Sequence, residues 1–332
     1  MKKIKKQTKI FAALLLAFLF VIPVSAAGIE LVPLGHTAGI RVSSSGAIVI
    51  ALSENMAENP CRAAGIAPGD VIQSVDGKEI ATNRDLHDAV VKSGGKEITV
   101  EYLREGMKCT CAVTPKKNSE GEYAIGVLIR DGVAGIGTMT YFDPQTKTYG
   151  ALGHGISDSD TSILIPAREG ALLPSEVSDV VKGKAGTPGE LRGEYDISHE
   201  FATIDKNTDS GIFGKVSDET ALFLKNKSYA VADKSEIKRG AATILSNIEG
   251  DEVKEYEIEI TAISKDGEKT KNMLISATDP ELLSKTGGIV RGMSGSPILQ
   301  NGKIVGAVTH VLVNDPTKGY AIFIENMLDA AE

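Results

Sequence analysis

Short apolar runs, alternating or continuous and broken by glycine-rich turns, recur along most of the chain and predict a mainly β protein. The first runs are Ile40-Arg41-Val42 and Ala47 to Ala51, separated by the turn Ser43-Ser44-Ser45-Gly46. Asn59 to Ile66 predicts a short helical turn, and Ala67-Pro68-Gly69-Asp70 leads into a strand over Val71 to Val75. Asp76-Gly77 is a hairpin signal. Thr82 is placed to cap a helix over 83–92 whose Leu86, Ala89 and Val90 share one face. Strands over 96–103 and 108–113 follow, and the polar stretch 116–122 predicts a linker. Beyond it come apolar runs at Ala124 to Ile129, Gly135 to Tyr141, Ile163 to Pro166, Gly211 to Val216, Tyr256 to Ile263 and Asn272 to Ser276. Helical patterning is confined to Asp279 to Ser284 and the C-terminus, so a β-barrel-like or sandwich domain is expected.

One segment breaks this pattern. Lys2, Lys3, Lys5, Lys6 and Lys9 precede an apolar run from Ile10 to Val24, and Val24-Ser25-Ala26 has the small residues of a cleavage site. Residues 1–27 therefore predict a secretory signal, cleaved or retained as an anchor, and an exported protein. The rest of the chain divides into 28–116 and 117–332. A net charge of −8, with no other basic cluster, argues against a nucleic-acid partner. Cys61, Cys109 and Cys111 make an odd count and read as small buried residues rather than a disulfide framework, a metal site or a redox pair.

The chemistry concentrates in Gly292-Met293-Ser294-Gly295-Ser296-Pro297, which runs into a predicted hairpin turning at Asn301-Gly302. A serine becomes nucleophilic when a tight turn exposes it near a base and near backbone donors. Gly292 and Gly295 permit such a turn, with the amides of Gly292 and Ser294 as the expected oxyanion hole. Ser294 is preferred over Ser296 because it follows Gly-x and precedes Gly, an arrangement that resembles chymotrypsin-like serine peptidases. Among five histidines, His154 stands between two glycines that leave its imidazole accessible, and His310 is the runner-up because it ends the strand after the nucleophile loop. His87 reads as a surface residue of the 83–92 helix, and His199 as a structural one. Asp158, Asp160, Asp196, Asp205, Asp209 and Asp279 all remain open as the carboxylate that orients the base.

Two resemblances narrow these choices. Ala64-Gly65-Ile66-Ala67-Pro68-Gly69-Asp70-Val71-Ile72 with Val75-Asp76-Gly77 resembles bacterial PDZ domains, which take up a peptide as an added strand and hold its terminal carboxylate on backbone amides. The matching carboxylate loop is read as Thr37-Ala38-Gly39-Ile40. His154 in Gly-His-Gly, Thr278-Asp279-Pro280-Glu281-Leu282-Leu283, the Ser294 loop, and Thr309 to Thr317 together resemble the stage IV sporulation protein B peptidases. That resemblance spans the chain in the order signal or anchor, PDZ domain, chymotrypsin-like barrel. It implies His154 as base, Asp279 as orienting carboxylate and Ser294 as nucleophile, with no metal or organic cofactor. It also implies self-cleavage and a membrane-protein substrate that restrains an intramembrane metalloprotease, outside the membrane of the secreting forespore. A peptide terminus would occupy the PDZ domain. The competing class is a PDZ-bearing scaffold with a degenerate peptidase domain; the intact His, Asp and Ser set speaks against it. A quality-control peptidase would usually carry its PDZ domain after the barrel instead of before it.

Overall fold

The computed structural model describes residues 28–56, 58–224, 226–264 and 269–332; the signal expected over 1–27 lies outside them. About half of the described chain is strand, and its buried side chains gather into four apolar clusters. The first fills a small α+β unit, with Ile72, Val75 and Val100 from its strands and Leu86 and Val90 from the helix Asn83–Lys92. This is the unit whose sequence resembles PDZ domains. Its helix begins as its sequence requires: the Thr82 hydroxyl accepts from Asp85 N–H while the Asp85 carboxylate accepts from Thr82 N–H.

Two further clusters are the cores of a β-barrel region. One is built from residues between Val32 and Ala221, including Phe142, Tyr149, Leu172 and Ile212. The other is built from residues between Val177 and Phe323, including Ile244, Ile258, Ile275 and Val308. The fourth cluster joins them: Tyr141 and Phe213 meet Ile304, Ile322 and Met327 of the C-terminal helix Ile324–Ala331.

Two long strands tie all of this together. Thr37–Leu52 runs as one strand where the sequence predicted two and a turn; the Ser43 to Gly46 stretch is absorbed as a shift of register. Successive side chains of a strand face opposite sides. Ala47 and Val49 therefore enter the PDZ core, while Ile48 between them enters the barrel core. Its partner is Val127–Asp143, antiparallel, from Leu52↔Val127 to Thr37↔Thr138.

This pairing crosses the division drawn at residue 116. Residues 127–130 complete the PDZ sheet beside Val49–Leu52, and Thr37–Val42 lies inside the barrel between Val127–Asp143 and Ala167–Val181. The expected linker is itself ordered, Lys116–Lys117 pairing with Tyr123–Ala124. The reading of Thr37, Ala38, Gly39 and Ile40 as a peptide-binding loop is corrected here. Both edges of that strand are already paired, to Gly135–Thr138 and to Leu172–Pro174, so no further strand can be added to it.

Where the two barrel cores meet, the chain crowds its backbone. Gly295 has φ +101°, and a Cβ there would lie 1.9 Å from the Thr138 carbonyl oxygen. Gly295→Ala should therefore cost about 3 kcal/mol or more, combining strained backbone with a clash. The denaturant midpoint measures it, and parental stability would refute the packing described.

Candidate active site

His154 and Ser294 arrive from the two barrel cores. The strand Thr148–Ala151 ends in an abrupt turn, with Leu152 and Gly153 both at φ +70°. A branched residue in that left-handed region is held there by its surroundings. Leu152 is buried, its N–H donates to the Thr138 carbonyl at 3.1 Å, and its side chain fills the space that Gly137 leaves open. The turn presents His154. Ser294 sits in the loop before Pro297–Gln300, and both residues line one cleft of about 460 Å³. Ile40, Val133, Ile136, Leu152 and Ile156 give this cleft an apolar wall, and Arg130 and Arg291 stand within it.

The Ser294 loop is fixed by Thr138. Its N–H donates to the Ser294 carbonyl at 3.0 Å, and its hydroxyl donates to the Gly292 carbonyl at 2.7 Å. The amides of Met293, Gly295 and Ser296 are committed to the carbonyls of Val290, Val308 and Met293. Those of Gly292 and Ser294, the pair expected to form the oxyanion hole, have no acceptor among the described residues. Ser296, the competing nucleophile, is fully buried and donates to the Ser246 hydroxyl at 3.1 Å. The Ser294 hydroxyl donates to the Thr309 carbonyl at 2.7 Å.

His154 Nδ1 lies 2.8 Å from the Gly155 carbonyl oxygen. A carbonyl only accepts, so Nδ1 carries the proton and Nε2 keeps its lone pair for a substrate-side proton. Burial pushes the His154 imidazole below its ordinary value, against the opposing effect of the Gly155 hydrogen bond. His310 packs against it, ring centroids 5.0 Å apart. Thus both histidines weighed in the sequence meet, with His154 the one in the cleft.

Asp279 does not complete this group. It is the N-cap of the helix Pro280–Thr286, where one carboxylate oxygen accepts from Leu282 N–H at 3.0 Å and the other from Glu257 N–H at 3.4 Å. No hydrogen bond or ion pair joins it to His154 among the described residues; the Gly155 carbonyl holds the orienting position. The remaining carboxylates divide similarly. Asp158 is buried and, with Asp160, pairs with Arg130, which ties the loop after His154 to the strand Val127–Asp143. Thr138, Gly155 and Arg130 all escaped the sequence reading, because a backbone carbonyl or a strand threonine carries no motif.

A second concavity lies in the PDZ domain, between helix Asn83–Lys92 and Val127–Ile129, with Leu86, His87 and Val90 on its helical side. Cys61 is buried in the core beneath, its thiol pushed up to about 12 by that burial.

These contacts set two expectations. Because His154 must be neutral to accept a proton, the acid limb of kcat/KM should fall below the ordinary imidazole value of 6.5; a limb above it would contradict the buried imidazole. Asp279→Ala should cost about 1 kcal/mol of stability, while Asp279→Asn, which still caps, should keep both stability and turnover. Lost turnover in a fully stable Asp279→Asn protein would return the carboxylate to His154.

Comparison with known proteins agrees with this organisation. The model of the family described as SpoIVB peptidase S55 matches residues 121–328, and that of the PDZ domain matches 28–114. A protein of Mesorhizobium japonicum named as a zinc metalloprotease is 33% identical over 103 residues, covering 31% of this chain and 28% of its own. Another so named, from Lactococcus lactis, is 36% identical over 69 residues, covering 21% and 16%. The chain thus spans under a third of the length of these curated relatives. Of solved structures, the active form of the Rv3671c protease of M. tuberculosis matches at 14% identity and a TM-score of 0.35, over 59% of this chain and 72% of that one. The PDZ domain of an SdrC-like protein from Listeria monocytogenes matches at 17% and 0.24, over 26% and 90%. With well over half of its length matched by the one family model, the chain belongs to the SpoIVB peptidase S55 family and carries a PDZ domain.

Proposed function

We propose that this chain is an exported regulatory endopeptidase of sporulation signalling, with Ser294 as nucleophile and His154 as its base. The observation that carries the site assignment is the convergence of Ser294 and His154 on one cleft, with His154 Nδ1 tied to a backbone acceptor and Nε2 left basic. In the reaction the Ser294 hydroxyl leaves the Thr309 carbonyl and attacks a substrate peptide carbonyl, its proton passing to His154 Nε2. The carbonyl oxygen, now negative, is received by the amides of Gly292 and Ser294. His154 then returns the proton to the departing amine, and water releases the acyl group by the same route. The Gly155 carbonyl keeps the imidazole in the working tautomer throughout.

The finer reading rests on family membership and on the sequence of residues 1–27. The substrate is a membrane-bound regulator of an intramembrane metalloprotease, cleavage triggers late sigma-factor activation, and the enzyme also cleaves itself. It acts in the space between the forespore membranes, with its leader cleaved or kept as an anchor. The PDZ domain recognises a peptide terminus.

Ser294→Ala should abolish fluorophosphonate labelling and lower turnover by about four orders of magnitude, and His154→Ala should do nearly as much. Labelling that persists in the Ser294→Ala protein would overturn the assignment. In a spore-forming host, a Ser294→Ala strain that activates its late sigma factor on schedule would overturn the signalling role.

A further inference from the structure

The cleft that Ser294 and His154 line carries a positive charge that the fold does not use. No Asp or Glu among the described residues lines it, whereas two arginines do. Arg130 is spent: its guanidinium pairs with Asp158 and Asp160. Arg291 is exposed, and its guanidinium has no ion pair or hydrogen bond among the described residues. Glu190, bridged to it through the backbone, pairs with Arg192 instead. The backbone beneath this free charge is fixed. Arg291 N–H donates to the Gly189 carbonyl at 2.9 Å, and its carbonyl accepts from Leu191 N–H at 2.8 Å. Val290 before it and Met293 after Gly292 are buried in a barrel core, and Gly292 lies close against the Leu191 side chain. A guanidinium on an anchored backbone, with no counter-ion of its own, is set to hold a carboxylate brought by a ligand.

Position decides which part of a substrate it meets. Arg291 adjoins Gly292, whose amide is the expected receiver of the carbonyl oxygen at the scissile bond. An extended chain advances about 3.4 Å per residue, so a guanidinium this close to that amide faces side chains within about two residues of the bond. We propose that Arg291 is a specificity-determining residue that selects an Asp or Glu within about two residues of the scissile bond, while the apolar wall of the cleft takes an aliphatic neighbour. The substrate is thus an acidic and aliphatic segment of a protein, and a basic segment is disfavoured. This deepens the proposed function and rests on its reading of Ser294 as nucleophile. The net charge of −8 does not oppose it, because charges farther apart than about 10 Å are largely screened at about 0.1 M salt. Both members of the ion pair stay partly in water, so the preference is modest, about threefold.

The test digests a peptide library of random sequence with the full chain and reads the cleaved bonds by mass spectrometry. Asp and Glu should be enriched about threefold within about two residues of those bonds, and the enrichment should shrink as salt is raised. Arg291→Lys should keep most of it, and Arg291→Gln should lose it. Arg291→Glu should replace it with an enrichment of Lys and Arg, a reversal that a merely disturbed loop would not produce. Parental cleavage without acidic enrichment, or an Arg291→Glu protein with the parental profile, would overturn the proposal. So would a parent that takes the fluorophosphonate label yet leaves every acidic peptide intact. Loss of that label in Ser294→Ala tests the nucleophile separately.

Discussion

The ladder between Thr37–Leu52 and Val127–Asp143 is the constraint on which the rest of the molecule depends. A strand has two faces and two edges, and these two strands use nearly all of them, one edge of Val127–Ile129 excepted. Their faces divide between the PDZ core and the barrel core; their edges carry the PDZ sheet at one end and the barrel at the other. Thr138 can hold the Ser294 loop only because this ladder fixes its position. The candidate active site is therefore an edge-to-edge product of secondary structure, with backbone groups doing much of the positioning.

That division of labour explains what could be read from sequence. The Gly-Met-Ser-Gly turn, the Gly-His-Gly turn and the Pro-Gly-Asp signature are legible because each needs particular residue types at fixed spacing. The Thr82 cap and the Asn301-Gly302 hairpin are legible for the same reason, with Asn301 and Gly302 both at positive φ. Strand edges are not. Thr37 to Ile40 has the composition of a peptide-binding strand, and nothing in those four residues says that both of its edges are occupied. The residues that do leave an edge open, Val127–Ile129, read only as another apolar run of the second domain.

Asp279 illustrates a different limit. An Asp followed by Pro, with a short apolar helix behind, is also the ordinary signature of a helix start. Resemblance supplied a catalytic role; the local chemistry supplies a cap. The acceptor beside His154 Nδ1 is the carbonyl of the next residue, which no side-chain pattern could reveal. A dipole in that place, unlike a carboxylate, carries no full charge, so less of the imidazolium's cost of burial is offset. The depressed basicity of His154 follows from that arrangement.

The shared strands also govern the order in which the polypeptide can acquire its shape. Thr37–Leu52 is made early, yet its partners Val127–Thr138 and Ala167–Pro174 are made much later. Until then only its Ala47–Val49 stretch has a partner, in Gly69–Ile72, and contacts between distant parts of a chain form slowly. The PDZ domain cannot close from residues 28–116 alone, since residues 127–130 complete its sheet. Synthesis thus completes the binding module's sheet only as the first long strand of the barrel emerges, while the barrel itself still waits for strands as late as Lys318–Phe323.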